Sequence, residues 1–316
     1  MIYINGVAQV GVSTHEVGRL VDIYSIDHGL NWADLGVITL DWSVCMAYLG
    51  NGIAIMGGDD QHVWRSTDYG ATWTDLGVIT ADWIRSMAYL GNGIAILGSD
   101  DQHVWRSTDY GATWADLGVI TADYIRGMAY LGNGIAILGG DDQHVWRSTD
   151  YGATWADLGV IAGGWIYRMA YLGSGIAILG DAAHHVWRST DYGATWADLG
   201  VNATNQIDCM AYLGNGIAIL GDISYHVWRS TDYGLNWTDL GVIATNGIYC
   251  MAYLGSGIAI MGDADHHVWR STDYGATWAD LGVITTNSVT CMAYLGSGIA
   301  ILGDVDQHVW RSTSAF

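Results

Sequence analysis

Short apolar runs, each broken by Gly with Asn, Ser or Asp, follow one another along almost the whole chain. Met87–Leu90, Ile94–Leu97, His103–Thr108 and Trp114–Leu117 are four such runs. They are separated by Gly91-Asn92-Gly93, Ser99–Gln102 and Asp109-Tyr110-Gly111. β-Branched and aromatic residues bounded by these turn formers predict strands joined by hairpins. No helical period is visible. We name the four predicted strands A to D.

The same pattern recurs. The Ser of RSTDYGATW and its variants stands at 25, 66, 107, 148, 189, 230, 271 and 312, a period of 41 residues at every step. A period near forty suits a four-stranded propeller blade. One small antiparallel sheet cannot bury both faces alone, and ringing the units buries them against each other. The pattern therefore predicts an all-β propeller. Met1–Val7 resembles Met46–Ile53 with one Gly deleted, which starts the chain at strand A of a divergent first unit. The count on this reading is eight blades in a single domain over 1–316. Its parts are a divergent blade 1–40, near-identical blades 41–287, and a last blade 288–316 lacking its outer strand. The alternative is seven blades, with a strand near Trp32 completing the last one and residues 1–27 as an extra arm.

The stretch SxDxGxTW resembles the Asp-box, or BNR repeat. Its Asp positions are Asp27, Asp68, Asp109, Asp150, Asp191, Asp232 and Asp273. The chain thus resembles the Asp-box propellers, which include sialidases and sortilin-type receptors. That resemblance implies a propeller with the box at the C–D turn. The residues agree with a structural role. Asp68 can accept backbone N–H groups within its turn. Gly70 supplies a conformation that a Cβ hinders. Trp73 offers a flat surface beneath the turn. The recurring His62, His103, His144, His185, His226, His267 and His308, and Arg65 with its equivalents, are read the same way, the Arg packed over Trp or paired with Asp.

Comparison among the repeats shows where variation is allowed. The A–B and C–D turns barely change. The D–A segments read TLDWSVC, TADWIRS, TADYIRG, AGGWIYR, ATNQIDC, ATNGIYC and TTNSVTC, and the B–C loops vary with them. Turns alternate between the two faces of a blade, so both variable sets share one face. Binding sites are commonly built on loops carried by a rigid scaffold. Trp42, Trp83, Tyr124 and Trp165 form an aromatic series there, beside Arg85, Arg126, Tyr167 and Arg168. Aromatic faces beside guanidinium groups suit a sugar bearing a carboxylate or sulfate. Asn205, Asn246, Asn287 and Asp208 give the later units a polar sector. The competing reading pairs the arginines locally with Asp82 or Asp123.

Composition narrows the function. The net charge is −21, there is no Lys, and Glu16 is the one Glu. Such a surface disfavours nucleic acid and anionic membranes, and no run is long enough for a membrane span. No signal peptide is visible, and an extracellular or virion-surface location is the expectation. Ca²⁺ on the B–C carboxylates Asp59, Asp60, Asp100, Asp101, Asp141 and Asp142 is a minor option without EF-hand spacing; no other cofactor or metal is expected. Cys45, Cys209, Cys250 and Cys291 share one repeat position and read as small reduced fillers. The resemblance to sialidases implies a Tyr–Glu nucleophile pair that cannot be identified here. The expected function is a non-enzymatic propeller binding a glycan or other surface ligand through the D–A/B–C face. The alternative is a structural or protein-interaction module of a surface or virion appendage; a glycoside hydrolase ranks lower.

Overall fold

The computed structural model describes the backbone of residues 2–4 and 7–9 and all of residues 28–312. Asp27 and Glu16 lie outside the described residues. Among the described residues are seven four-stranded antiparallel sheets and one two-stranded sheet. We number the seven blades from the one that starts at Ser43. Their A strands are Ser43–Gly50, Ile84–Gly91, Ile125–Gly132, Ile166–Gly173, Ile207–Gly214, Ile248–Gly255 and Val289–Gly296. Each A strand packs against the next, and the last packs against the first, so the A strands ring a central channel.

The count of eight blades is corrected to seven. Ile2–Ile4 pairs with Val7–Gln9 in a separate two-stranded sheet, and does not head a blade. Strand C of the seventh blade, His308–Ser312, finds its outer partner in Trp32–Val37, with Trp32 opposite Ser312. An unpaired strand edge leaves N–H and C=O groups without ladder partners. Here the beginning and end of the described propeller satisfy each other and close the ring.

The core lies between blades. Leu49, Ile55 and Val63 of the first blade pack on Ile84, Met87 and Leu97 of the second, all buried. Ala54 meets Ala293, Leu295 and Ile301 across the closing seam. A glycine on each B strand makes this contact possible. A Cβ on Gly98 would stand 2.5 Å from Cγ2 of Ile125 in the third blade.

The repeated C–D turn is held by its own side chains. Asp68 accepts from Ser66 Oγ at 2.8 Å, Thr72 N at 2.9 Å and Thr72 Oγ1 at 2.6 Å. The turns are also tied from blade to blade. Arg65 Nε donates to Tyr110 O in the next blade at 2.8 Å, and the pattern continues to Arg311, which reaches Tyr69 O. Arg270 reaches His28 O at 3.0 Å, so His28 marks the seventh blade's turn. These arginines are structural, as expected, but through a neighbour's carbonyl. Each strand C His pairs with an Asp of strand D in its own blade, from His62 with Asp75 at 2.7 Å to His308 with Asp34 at 2.9 Å. Among the described residues no three metal-ligating side chains gather into a site.

Candidate functional site at the channel mouth

The hydrogen bonds confirm which loops share a face. Asp59 N donates to Trp42 O, linking a B–C loop to a D–A segment, whereas Tyr69 N donates to Gly52 O, linking a C–D turn to an A–B turn. The variable segments therefore surround one mouth of the channel.

Each A strand enters the channel through a register shift. In the second blade Ile84 pairs with Ser99 and Ser86 with Gly98, leaving Arg85 as the extra residue. A bulge of this kind bends the strand and re-aims one side chain. The equivalent residues are Val44, Arg126, Tyr167, Asp208, Tyr249 and Thr290. All seven line one cavity of ≈ 250 Å³ at the mouth, together with Trp42, Arg168 and Gln206. A second cavity of ≈ 260 Å³ continues into the channel, with Arg168 bordering both. Val44, Gln206, Tyr249 and Thr290 were not singled out from sequence. The signal for Val44, Tyr249 and Thr290 was the sixth column of the D–A segments, which reads V, R, R, Y, D, Y, T; Gln206 stands in the fourth column, the one that holds the aromatic series.

The aromatic series divides. Trp42 lines the cavity, while Trp83, Tyr124 and Trp165 stand on its rim, 42%, 40% and 47% exposed. The guanidinium of Arg85 lies 4.3 Å from the Trp83 ring centre. That of Arg126 lies 5.5 Å from Tyr124, 5.9 Å from Trp165 and 5.3 Å from Tyr167. Cation–π contacts of this kind hold the arginines against the aromatic wall.

The arginines also have acidic partners, though not Asp82 or Asp123. Those two turn back on their own loops and accept from Trp83 N and Tyr124 N. Arg85 Nε donates to Asp100 at 3.0 Å and its Nη1 to Asp59 at 3.4 Å. Arg126 grips both oxygens of Asp141. Burial drives the Asp59 carboxyl up to about 6 against the pull of Arg85, and raises Asp100 likewise. Asp60, Asp101 and Asp142 accept backbone N–H bonds from Leu40, Ala81 and Ala122. In the later blades Asp181, Asp222, Asp263 and Asp304 do the equivalent work from the end of strand B. Part of the B–C variation is therefore two solutions to one scaffold problem. The first Asp of each early loop, Asp59, Asp100 or Asp141, is what remains to meet the arginines.

Two groups of aspartates give stability opposite pH dependences. For the C–D turn Asp68, burial opposes ionisation, but the hydrogen bonds from Thr72, Ser66 and Ala71 outweigh it and hold the carboxyl below 3.8. Asp109, Asp150, Asp191, Asp232 and Asp273 behave alike. A depressed carboxyl contributes stability above its unfolded value, and that contribution is lost as pH falls through the folded one. Asp59 has the opposite sign, so its penalty is relieved as pH falls from about 6 toward 3.8. Thermal melts across pH should show stability level or rising down to about pH 5 and dropping below about pH 4. A midpoint that climbs steadily into acid would refute this.

The four cysteines are free and buried. Cys45 Sγ contacts Ile84 O, Cys209 Sγ contacts Ile248 O, and Cys250 Sγ contacts Val289 O, each in the following blade. Burial pushes the thiols up, to about 11 at Cys291 and well above 9.0 at Cys250. Thiolates are the reactive form. Native protein should therefore release no thionitrobenzoate from Ellman's reagent at pH 8, and denatured protein four equivalents. Rapid reaction of the native thiols would overturn the buried placement.

Fold and site together define a seven-bladed propeller with one diversified mouth. No protein-family model matches the sequence, and no curated protein matches it either. Solved structures do resemble it. YCF48 bound to D1 peptide aligns with a TM-score of 0.75 at 16% identity, covering 90% of this chain and 97% of that one. YCF48 from Cyanidioschyzon merolae aligns at 0.70 and 13%, covering 89% and 98%. The WD40 β-propeller domain of Doa1 aligns at 0.75 and 11%, covering 89% and 96%. At such identities the likeness is one of architecture.

Proposed function

We propose that this chain is a non-enzymatic binding propeller whose ligand, a segment of another protein, seats at the D–A/B–C mouth. The observation that carries the reading is the convergence of the seven bulged A-strand residues, the most diversified inner positions, on one cavity. An invariant scaffold presenting a varied mouth is how a ring fold builds one site from near-identical parts. That a YCF48 structure of similar fold contains a peptide adds support. The ligand-contacting residues of this proposal are Trp42, Trp83, Arg85, Tyr124, Arg126, Trp165, Tyr167 and Arg168. We read the repeated turn as an Asp-box, whose side chains serve the scaffold.

A glycan is the second reading. It is favoured by the exposed rings of Trp83, Tyr124 and Trp165, which offer stacking faces for sugars.

Both readings are tested by probing synthetic peptides beside neutral, sialylated and sulfated glycans with wild type and a Trp83→Ala/Trp165→Ala variant. These rim residues can be changed without breaking the arginine ion pairs. Peptide binding that the variant loses supports the first reading, and glycan binding lost in the same way supports the second. Binding that the variant keeps at full strength would move the site off this mouth.

A further inference from the structure

We infer that the mouth cavity takes the C-terminal carboxylate of a peptide, with Arg168 as its anchor. This rests on the reading of the mouth as a site for a protein segment. The three mouth arginines look alike in sequence and differ in the structure. Arg85 and Arg126 are already neutralised by Asp59, Asp100 and Asp141. Arg168 forms no ion pair with a described residue. It donates through Nη1 alone, to Tyr167 O at 3.0 Å and Arg126 O at 3.4 Å. Its Nε–Nη2 edge makes no hydrogen bond to a described residue. That edge is a planar two-donor fork, the geometry that grips a carboxylate.

Position makes this cation accessible to one ligand. Arg168 occupies the repeat position held elsewhere by Cys45, Ser86, Gly127 or Cys209, one residue deeper than Arg85 and Arg126. Like Arg85 and Arg126 it borders both the mouth cavity and the channel below, and it alone does so without an acidic partner among the described residues. In the channel it shares the cavity lining with Cys45, Cys209 and Cys291, which belong to three other blades. The guanidinium therefore reaches in toward the axis, where a single chain end can enter and a bulky surface cannot.

The neighbours of Arg168 select the kind of anion. Asp208 is 8% exposed and lines the same cavity. It accepts one hydrogen bond, from Gln206 Nε2 at 2.6 Å, and has acceptor capacity left. Burial raises its carboxyl against the pull of Gln206 and Arg168. A sulfate or a dianionic phosphate on Arg168 would face this carboxylate with no donor to offer it. The last residue of a peptide carries both groups required: a carboxylate for Arg168 and, beside it, an amide N–H for Asp208. Tyr167 and Tyr249, on the blades either side of Asp208, wall its side chain. The net charge of −21 then favours basic residues upstream of the chain end.

The test is an array of short synthetic peptides with Lys or Arg upstream, each made with a free C-terminal carboxylate and as its carboxamide, beside carboxylated glycans. Hits are measured in solution by fluorescence anisotropy against wild type, Arg168→Ser and Arg168→Lys. Serine already stands at this position in the second blade as Ser86, and a thermal melt confirms that each variant is folded. Free-acid peptides should bind at least about tenfold more tightly than their carboxamides. Arg168→Ser should abolish that preference, and Arg168→Lys should keep only part of it. Peptides that bind equally as carboxamides would refute the chain-end anchor and leave the protein-binding reading standing. Binding confined to carboxylated glycans, or no peptide binding at all, would overturn both.

Discussion

A chain that begins at Leu40 is expected to lose its closed ring and to associate. Without Trp32–Val37, strand C of the seventh blade has a bare edge, and Arg270 has lost the His28 carbonyl. The turn carrying Gly29 also covers Leu254 and Ile260, which are 1% and 0% exposed. Uncovering two such side chains costs about 1.5–3 kcal/mol each, before the lost ladder bonds are counted. A total on the order of 5 kcal/mol should lower the melting midpoint by about 10 °C or more. The bare edge should also pair with other copies as concentration rises. A chain beginning at His28 is the control, since it keeps Trp32–Val37 and the His28 carbonyl. Circular dichroism melts and light scattering measure both effects. Adding a synthetic peptide of residues 28–39 should restore the midpoint. A Leu40 chain that stays monomeric and melts like the control would disprove closure by this strand.

Arg126→Ala should be the most damaging single change at the mouth. Asp141 is 9% exposed and has both oxygens on Arg126. Removing one member of a buried pair leaves a charge without compensation and costs about 3–5 kcal/mol. The double variant Arg126→Ala/Asp141→Ala should recover most of that loss. The place of Asp141 is held in the sixth blade by Ala264, so the loop tolerates a small apolar residue there. A double-mutant cycle by chemical denaturation reads the coupling directly. Losses that simply add would mean the pair is solvated. This bears on ligand studies too, because removing Arg126 confounds lost binding with lost folding.

The sequence announced the blade because the blade is local. Its strands, turns and box residues all lie within one 41-residue period, and the A–B turn is written as Asn51-Gly52, both at positive φ. Closure was misjudged for the opposite reason. The pairing of Trp32 with Ser312 joins segments far apart in the chain, and Met1–Val7 imitates a strand A by composition alone. The site was half legible. Variation among repeats pointed to the face that carries the mouth cavity and to Arg85, Arg126 and Arg168, which line it. It placed Arg168 one column after the other two, but could not show that a bulge turns the sixth column inward or that Arg168 alone lacks an acidic partner among the described residues. Ion pairing also escaped the local view. Arg85 takes Asp59 from the preceding blade, a partner 26 residues away.

The arginine links between turns have a consequence for how the molecule is made. Each blade braces the turn of the one after it, and the last braces the first through Arg311 and Tyr69. An open stack of repeats can stop anywhere provided its ends are capped. A ring with this bracing has no terminus to cap and no stable stopping point short of completion. During synthesis, six sheets can assemble as they emerge, but the growing array carries an uncovered flank at each side. Only when Ser312 is out can Trp32 engage it, and such distant pairing is intrinsically slow. The hazardous interval in the life of this protein is thus the wait before that last strand arrives, when exposed flanks on neighbouring nascent chains can find each other first.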